Sequence, residues 1–241
     1  MVTACCCWRG GWPGPRPDVP LGEPPVSGRL RALPPLAFGD TVLFRVFRRT
    51  RPAPWYFASL PAGCDSDDAA GRFDLPLPDG TCYLATSLSG AVLEALQGFG
   101  EGLLPESELR ARACARVSVP DAAPDAADLT DRVARGVGVT QALWAGPERA
   151  RTQRWAAALH RAGWQALHVG VQHDPTGGLR SVALFDRAGV HAPYGDDEAW
   201  VWTSVALVDS ADARACLAAH GITVTAGADL PVVSLEDSGL L

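Results

Sequence analysis

GRFDLPLPDGTCYLATSLSGAVLEAL, residues 71–96, is the stretch that decides how the rest of the chain is read. Gly71-Arg72 opens it and a proline-rich loop follows. Asp79-Gly80 is a turn signal ahead of a strand over Thr81–Thr86, which carries Tyr83. Thr86 or Ser87 then reads as the N-cap of a helix from about Ser89 to Gln97, with Val92, Leu93 and Leu96 on its apolar face. Glu94 lies beside that face. It reads equally as an ordinary exposed helix glutamate and as a carboxylate turned toward a site. One loop–strand–helix unit thus brings a cation, an aromatic hydroxyl and a carboxylate together: Arg72, Tyr83 and Glu94.

Upstream, TVLFRVF (Thr41–Phe47) alternates β-branched and aromatic residues and reads as a strand, ended by Pro52 and Pro54. Arg45 sits inside it, where an arginine either snorkels to the rim or holds an anion. Trp55–Leu60 reads as a short strand or an irregular wall. Downstream, Pro105 opens a short helical piece and Ala113–Val119 forms a strand. Pro120–Asp128 is an acidic linker, and residues 129–143 form helix or turn. PERARTQRWAAALHRA (Pro147–Ala162) has proline at its start, an apolar face of Trp155, Ala158 and Leu159, and Gly163 at its end, so it is a helix. Gln165–Val171 and Arg180–Asp186 flank HDPTGG and read as a β-hairpin, with His173 and Asp174 a solvated turn pair. A strand over Trp200–Val208, a helix over Asp209–His220 and a strand over Ile222–Thr225 complete an α+β pattern.

The expected boundaries are a disordered Pro/Gly-rich extension over 1–38, one domain over 39–226, and a loose tail over 227–241. The extension has no apolar period and too little apolar surface to offset its ordering entropy. Net charge is −6 and the pI about 5.3, which argues against direct nucleic-acid binding. The seven cysteines show neither paired spacing nor a Cys/His metal pattern, which fits a reducing cytoplasm. No apolar run is long enough for a membrane span and no export signal is visible. There is no glycine-rich phosphate loop.

The order LFRVF, GRF, YLATS, AVLEAL and HDPTGGLRSVALFDRAG resembles the RES-domain family, bacterial proteins named for arginine, glutamate and serine positions. The resemblance covers roughly residues 40–210. It implies an ADP-ribosyltransferase-like fold, with a mixed or antiparallel β core flanked by helices. It also implies the toxin of a toxin–antitoxin module, which destroys NAD by splitting the nicotinamide–ribose bond with water or phosphate as acceptor. NAD is then a substrate and neither cofactor nor metal is required. An antitoxin protein would cover the active site. The resemblance assigns Arg72, Tyr83 and Glu94 as catalytic. Glu94 would stabilise the oxocarbenium charge on the ribose. Arg72, and Arg45 with it, would hold a pyrophosphate or acceptor phosphate. Tyr83 would stack on a flat ring and still donate a hydrogen bond.

One position departs from the family pattern. Relatives carry a serine two residues ahead of the histidine, and this chain has Val171 there, flanked by Gly170 and Gln172. Ser181 lies on the returning strand. The departure keeps a second reading open: a catalytically weakened or inactive module that binds a nucleotide or a protein partner. A third is a plain interaction module with the N-terminal segment as its linker. The oligomeric state, including a homo-oligomer, stays open.

Overall fold

The computed structural model describes residues 21–96, 102–174 and 176–226. Its elements in chain order are α1 (Ser27–Leu30), β1 (Pro35–Leu36), β2 (Val42–Arg48), β3 (Asp79–Ala85), α2 (Leu88–Leu96), β4 (Leu103–Pro105), α3 (Glu106–Arg110), β5 (Arg112–Ser118), β6 (Ala126–Asp128), α4 (Ala142–Ala145), α5 (Arg149–Arg161), β7 (Ala166–Gly170), β8 (Arg180–Arg187), β9 (Trp202–Ala206), α6 (Ala211–Ala219) and β10 (Thr223–Thr225).

Eight strands form one mixed sheet in the order β1-β6-β7-β8-β3-β2-β5-β9. The β6–β7 pair is parallel and the other ladders are antiparallel. A second, two-stranded sheet pairs β10 with β4 in parallel. The fold is α+β, a large mixed sheet flanked by helices in a single domain, as the strand and helix patterns lead one to expect.

Strand alternation sorts the side chains into two faces. On one face Leu43, Phe47, Cys82, Leu84, Ala115, Val182 and Leu184 pack under the Trp55, Phe57 and Trp200 loops. The opposite face is covered in two halves. Over β6, β7 and β8, the helix α5 buries Trp155, Ala158 and Leu159 against Leu167, Val169, Ala183 and Phe185. Over β2 and β5, α2 and α6 bury Val92, Leu96, Ala213 and Leu217 around Cys114. The gap between these two helical halves falls above β3 and β8.

Several expectations change. Residues 21–38, read as part of a disordered extension, are packed: Leu21, Leu30, Leu33 and Phe38 are buried, and β1 pairs with β6. A few leucines between prolines suffice because they fill an existing core, and no periodicity announces them. Residues 1–20 and 227–241 lie outside the described residues, as does Gln97 at the expected end of α2. Asp79-Gly80 is the start of β3 and not a turn before it. Gly80 is needed there because a Cβ would come within 2.8 Å of the Phe57 carbonyl oxygen, where the 55–60 segment crosses as isolated bridges. The acidic linker contains β6, three residues recruited by parallel pairing with β7. The helix over 147–162 and the hairpin of β7 and β8 form as the patterns indicate. Ser87 caps α2, accepting a 3.1 Å bond from the Gly90 N–H.

Candidate active site

A cavity of about 320 Å³ opens in the gap between the helical halves. Arg72, Tyr83, Glu94 and Arg45 all border it. Its floor is β3 and β8, where Ala85, Ser181 and Ala183 offer small side chains. One wall is α2, with Ala91, Glu94 and Ala95 facing in. The other wall comes from the Gly71–Phe73 loop, the start of α5 at Arg149, and Trp144 on α4.

Arg72 is fixed by its backbone. The loop before β3 is tied to α5 by two buried polar side chains. Thr152 Oγ1 donates to the Arg72 carbonyl at 2.6 Å. Gln153 Nε2 donates to the Gly71 carbonyl at 3.0 Å and to that of Asp67 at 2.7 Å. Arg72 is 8% exposed, and its guanidinium donates to the Gly146 carbonyl at 2.6 Å. Burial lowers its pKa, the neighbouring Arg149 charge pushes the same way, and Glu94 opposes them.

Tyr83 is held by Asp74. Its hydroxyl donates to Asp74 Oδ1 at 2.7 Å and accepts the Phe73 N–H at 2.9 Å. Asp74 Oδ2 accepts the Gly71 N–H at 2.7 Å. Burial raises the pKa of Asp74, while the Tyr83 hydroxyl and the Gly71 N–H favour its charged form. Burial and the Asp74 carboxylate together lift the Tyr83 phenol well above its usual value. Gly71 admits this arrangement: a Cβ there would lie 2.5 Å from Asp74 Oδ1 and 2.6 Å from the Tyr83 oxygen. The expectation that Tyr83 donates to a ligand is corrected in one respect, since its proton is already committed to Asp74. Its ring is what remains for the cavity.

Glu94 faces the cavity from α2. Its Oε1 accepts the Gln172 N–H at 2.8 Å. Burial raises its pKa, and the Gln172 N–H and the Arg72 charge act against that rise. The glutamate is therefore a largely buried carboxylate lining the cavity and not an exposed helix residue.

Arg45 is placed differently from the expectation. It shares the β2 face of Leu43 and Phe47, and its guanidinium reaches the Cys82 thiol and, at 3.1 Å, the Tyr56 carbonyl. Those partners turn it to the far side of the sheet, so it borders the cavity without presenting its charge there. Arg149 stands where a second cation was expected. It lines the cavity, donates to the Ala70 carbonyl at 2.8 Å, and begins α5, at the positive end of the helix dipole.

Trp144 completes the wall. It lies so close over Gly170 that a Cβ at that position would come 2.8 Å from the indole Cδ1 and Cε2. Asp74, Arg149, Trp144 and the Gln172 N–H were all missed in the sequence. Arg149 is hidden among the helix's other arginines. Trp144 and the Gln172 N–H act through contacts between segments far apart in the chain. Asp74, though its partners Gly71 and Tyr83 are local, stands in a loop with no periodicity to point it inward. His173 and Asp174 lie in the expected turn, but they are not a solvated pair: His173 is exposed and Asp174 is buried. Burial alone would raise Asp174, but the Thr176 hydroxyl and three backbone N–H groups outweigh it and bring its pKa to about 2. Asp174 is thereby a turn-former. Val171 is buried and directed at α2: a Cβ on Gly90 would lie 3.4 Å from its Cγ2.

The arrangement has the ingredients for handling a substrate that is anionic at one end and develops positive charge at the other. Two guanidinium groups face a partly desolvated carboxylate across a small, aromatic-edged cavity. Among the described residues no cluster suits a metal ion, and no helix is long and apolar enough to cross a membrane.

A family model described as the RES domain matches residues 42–203. No curated protein matches the chain in sequence. A chain in the crystal structure of the M. tuberculosis MbcT–MbcA toxin–antitoxin complex has the same fold, with a TM-score of 0.54 and 18% identity over 80% of this chain and 96% of that one.

Proposed function

This chain belongs to the RES-domain family, and on that premise we propose that it is the toxin of a toxin–antitoxin module and cleaves the nicotinamide–ribose bond of NAD. The observation that carries the proposal is Glu94, desolvated on α2 and held by the Gln172 N–H, facing Arg72 and Arg149 across one cavity.

In this reading the two arginines grip the pyrophosphate. The Tyr83 and Trp144 rings wall the nicotinamide half. A cavity of about 320 Å³ is at the small end of ligand pockets, which suits the nicotinamide riboside portion with the adenylate lying outward. As the C1′–N bond stretches, the ribose gains oxocarbenium character and neutral nicotinamide leaves. The ionised Glu94 stabilises that charge in a medium of low polarity. An acceptor oxygen then bonds to C1′. Water gives ADP-ribose and a released proton, and inorganic phosphate gives the 1-phosphate ester of ADP-ribose. The protein partner is an antitoxin that covers this cavity, by analogy with the complex named above.

Incubating the purified chain with NAD, with and without inorganic phosphate, and following nicotinamide release tests the reading. Release that depends on Glu94 and is lost in Glu94→Gln is expected. Intact NAD, or equal release by the variant, overturns the enzymatic reading. A second reading, a pocket that binds the nucleotide without turnover, draws on Val171 at the position where the family resemblance leads one to expect a serine. Calorimetric binding of NAD or ADP-ribose without product formation would select it.

A further inference from the structure

We infer that the Ser181 hydroxyl is a substrate-binding group of this cavity and hydrogen-bonds a hydroxyl of the nicotinamide ribose, a conclusion that rests on the NAD reading above. Ser181 is 8% exposed, lines the cavity, and its Oγ has no hydrogen-bond partner among the described residues. A buried hydroxyl without a partner is uncommon and costly to keep. Packing does not require it. Ser181 pairs with Ala85 on one side and Val169 on the other, and Ala183 follows it on the same face. Alanine would fill that floor equally well. Beside Tyr83, whose hydroxyl is committed to Asp74, the Ser181 hydroxyl is thus a free polar group among the small side chains Ala85 and Ala183 of the floor.

Strand alternation fixes its direction. Ser181 shares a face with Ala183 and Phe185, which pack toward α5, and so it points to the cavity side of the sheet. Its neighbour Val169 lies three residues before Gln172, whose N–H holds Glu94. Ser181 and Glu94 border the same cavity, one on its floor and the other on its α2 wall. A ribose held with its C1′ toward Glu94 lies over that floor and turns a hydroxyl to Ser181. The Val171 side chain cannot make this contact: it carries no polar atom and packs toward Gly90 on α2. In this chain the hydroxyl of the hairpin wall is supplied from β8 and not from the end of β7.

The test compares wild type and Ser181→Ala on NAD and on its analogues lacking the 2′- or the 3′-hydroxyl of the nicotinamide ribose. It reads kcat/KM, or Kd where the chain binds without turnover. Wild type is expected to lose about tenfold or more on one of the two analogues, the usual effect of one polar contact. Ser181→Ala is expected to lose a similar factor on NAD and to show no further loss on that analogue. Its melting temperature should equal or exceed that of wild type, which separates loss of a contact from loss of the fold. Wild-type behaviour of Ser181→Ala on NAD, or additive losses on the analogue, overturns the role of Ser181 alone. A wild-type chain that neither binds nor cleaves NAD overturns the parent reading, and this inference falls with it.

Discussion

The Tyr83 hydroxyl donates a 2.7 Å hydrogen bond to Asp74 Oδ1. The same carboxylate accepts the Gly71 N–H from the residue before Arg72. Asp74 therefore joins the loop that carries the arginine to the strand that carries the tyrosine. Asp74→Ala leaves both donors unpaired in a buried place, at about 1–3 kcal/mol each. A chain of this size should lose roughly 2–4 °C of melting temperature for every kcal/mol. Asp74→Asn keeps an acceptor and should lose less. Thermal melts of the two variants decide it, and equal melting of Asp74→Ala and wild type would show that the carboxylate holds nothing.

Glu94 should cost stability while it serves the site. Burial raises its pKa in the folded chain above the ordinary carboxylate value of 4.5. Its contribution is fully favourable below that value and is lost as pH rises through the higher folded-state value. Glu94→Gln retains an acceptor for the Gln172 N–H and removes the titration. Its melting temperature relative to wild type should climb as pH is raised through and above 4.5, while NAD cleavage disappears. A melting difference that is flat across that pH range would refute the desolvated carboxylate.

Arg149 places a positive charge at the N-terminus of α5, where the helix dipole favours a negative one. Such a residue contributes little to folding and is well placed for an anion. Arg149→Ala should weaken NAD or ADP-ribose binding by about tenfold or more, the range for hydrogen bonds to charged groups. The melting temperature should change little. Calorimetry at low and high salt reads this directly, and the wild-type dependence on salt should be the steeper of the two.

Gly170 should resist substitution. A Cβ there collides with the Trp144 indole, and forcing an atom into a packed position costs about 1–3 kcal/mol. In Gly170→Ala the indole is expected to swing, which intrinsic fluorescence detects, and KM for NAD should rise as the aromatic wall shifts. Unchanged fluorescence and unchanged KM together would mean that Trp144 does not wall the substrate.

Much of the site was legible because its central part is local. Residues 71–96 carry a loop, a strand and a capped helix whose signals lie within a few residues of one another, and that stretch brings Arg72, Tyr83 and Glu94 to one cavity. What was not legible depends on distant segments. Thr152 and Gln153 pin the loop from about 80 residues away, and the Gln172 N–H reaches Glu94 across 78. A strand of arginine and phenylalanine does not reveal that Arg45 turns to the Cys82 face, because the alternation of a strand buried on both faces names no favoured side. The packing of residues 21–38 is hidden in the sequence for a related reason. Its leucines are too few to set a period, yet they lodge in a core that the rest of the chain has built.

The position of β8 carries a consequence for timing. It lies in the interior of the sheet, between β7 and β3, although it is among the last strands to be synthesised. Until residue 187 has been made, β3 has no partner on that side, and the cavity lacks the β8 half of its floor, Ser181 included. Long-range pairing of this kind is slow to form. A nascent chain therefore carries Arg72, Tyr83 and Glu94 well before the cavity that gathers them is whole, and one late strand completes the pocket.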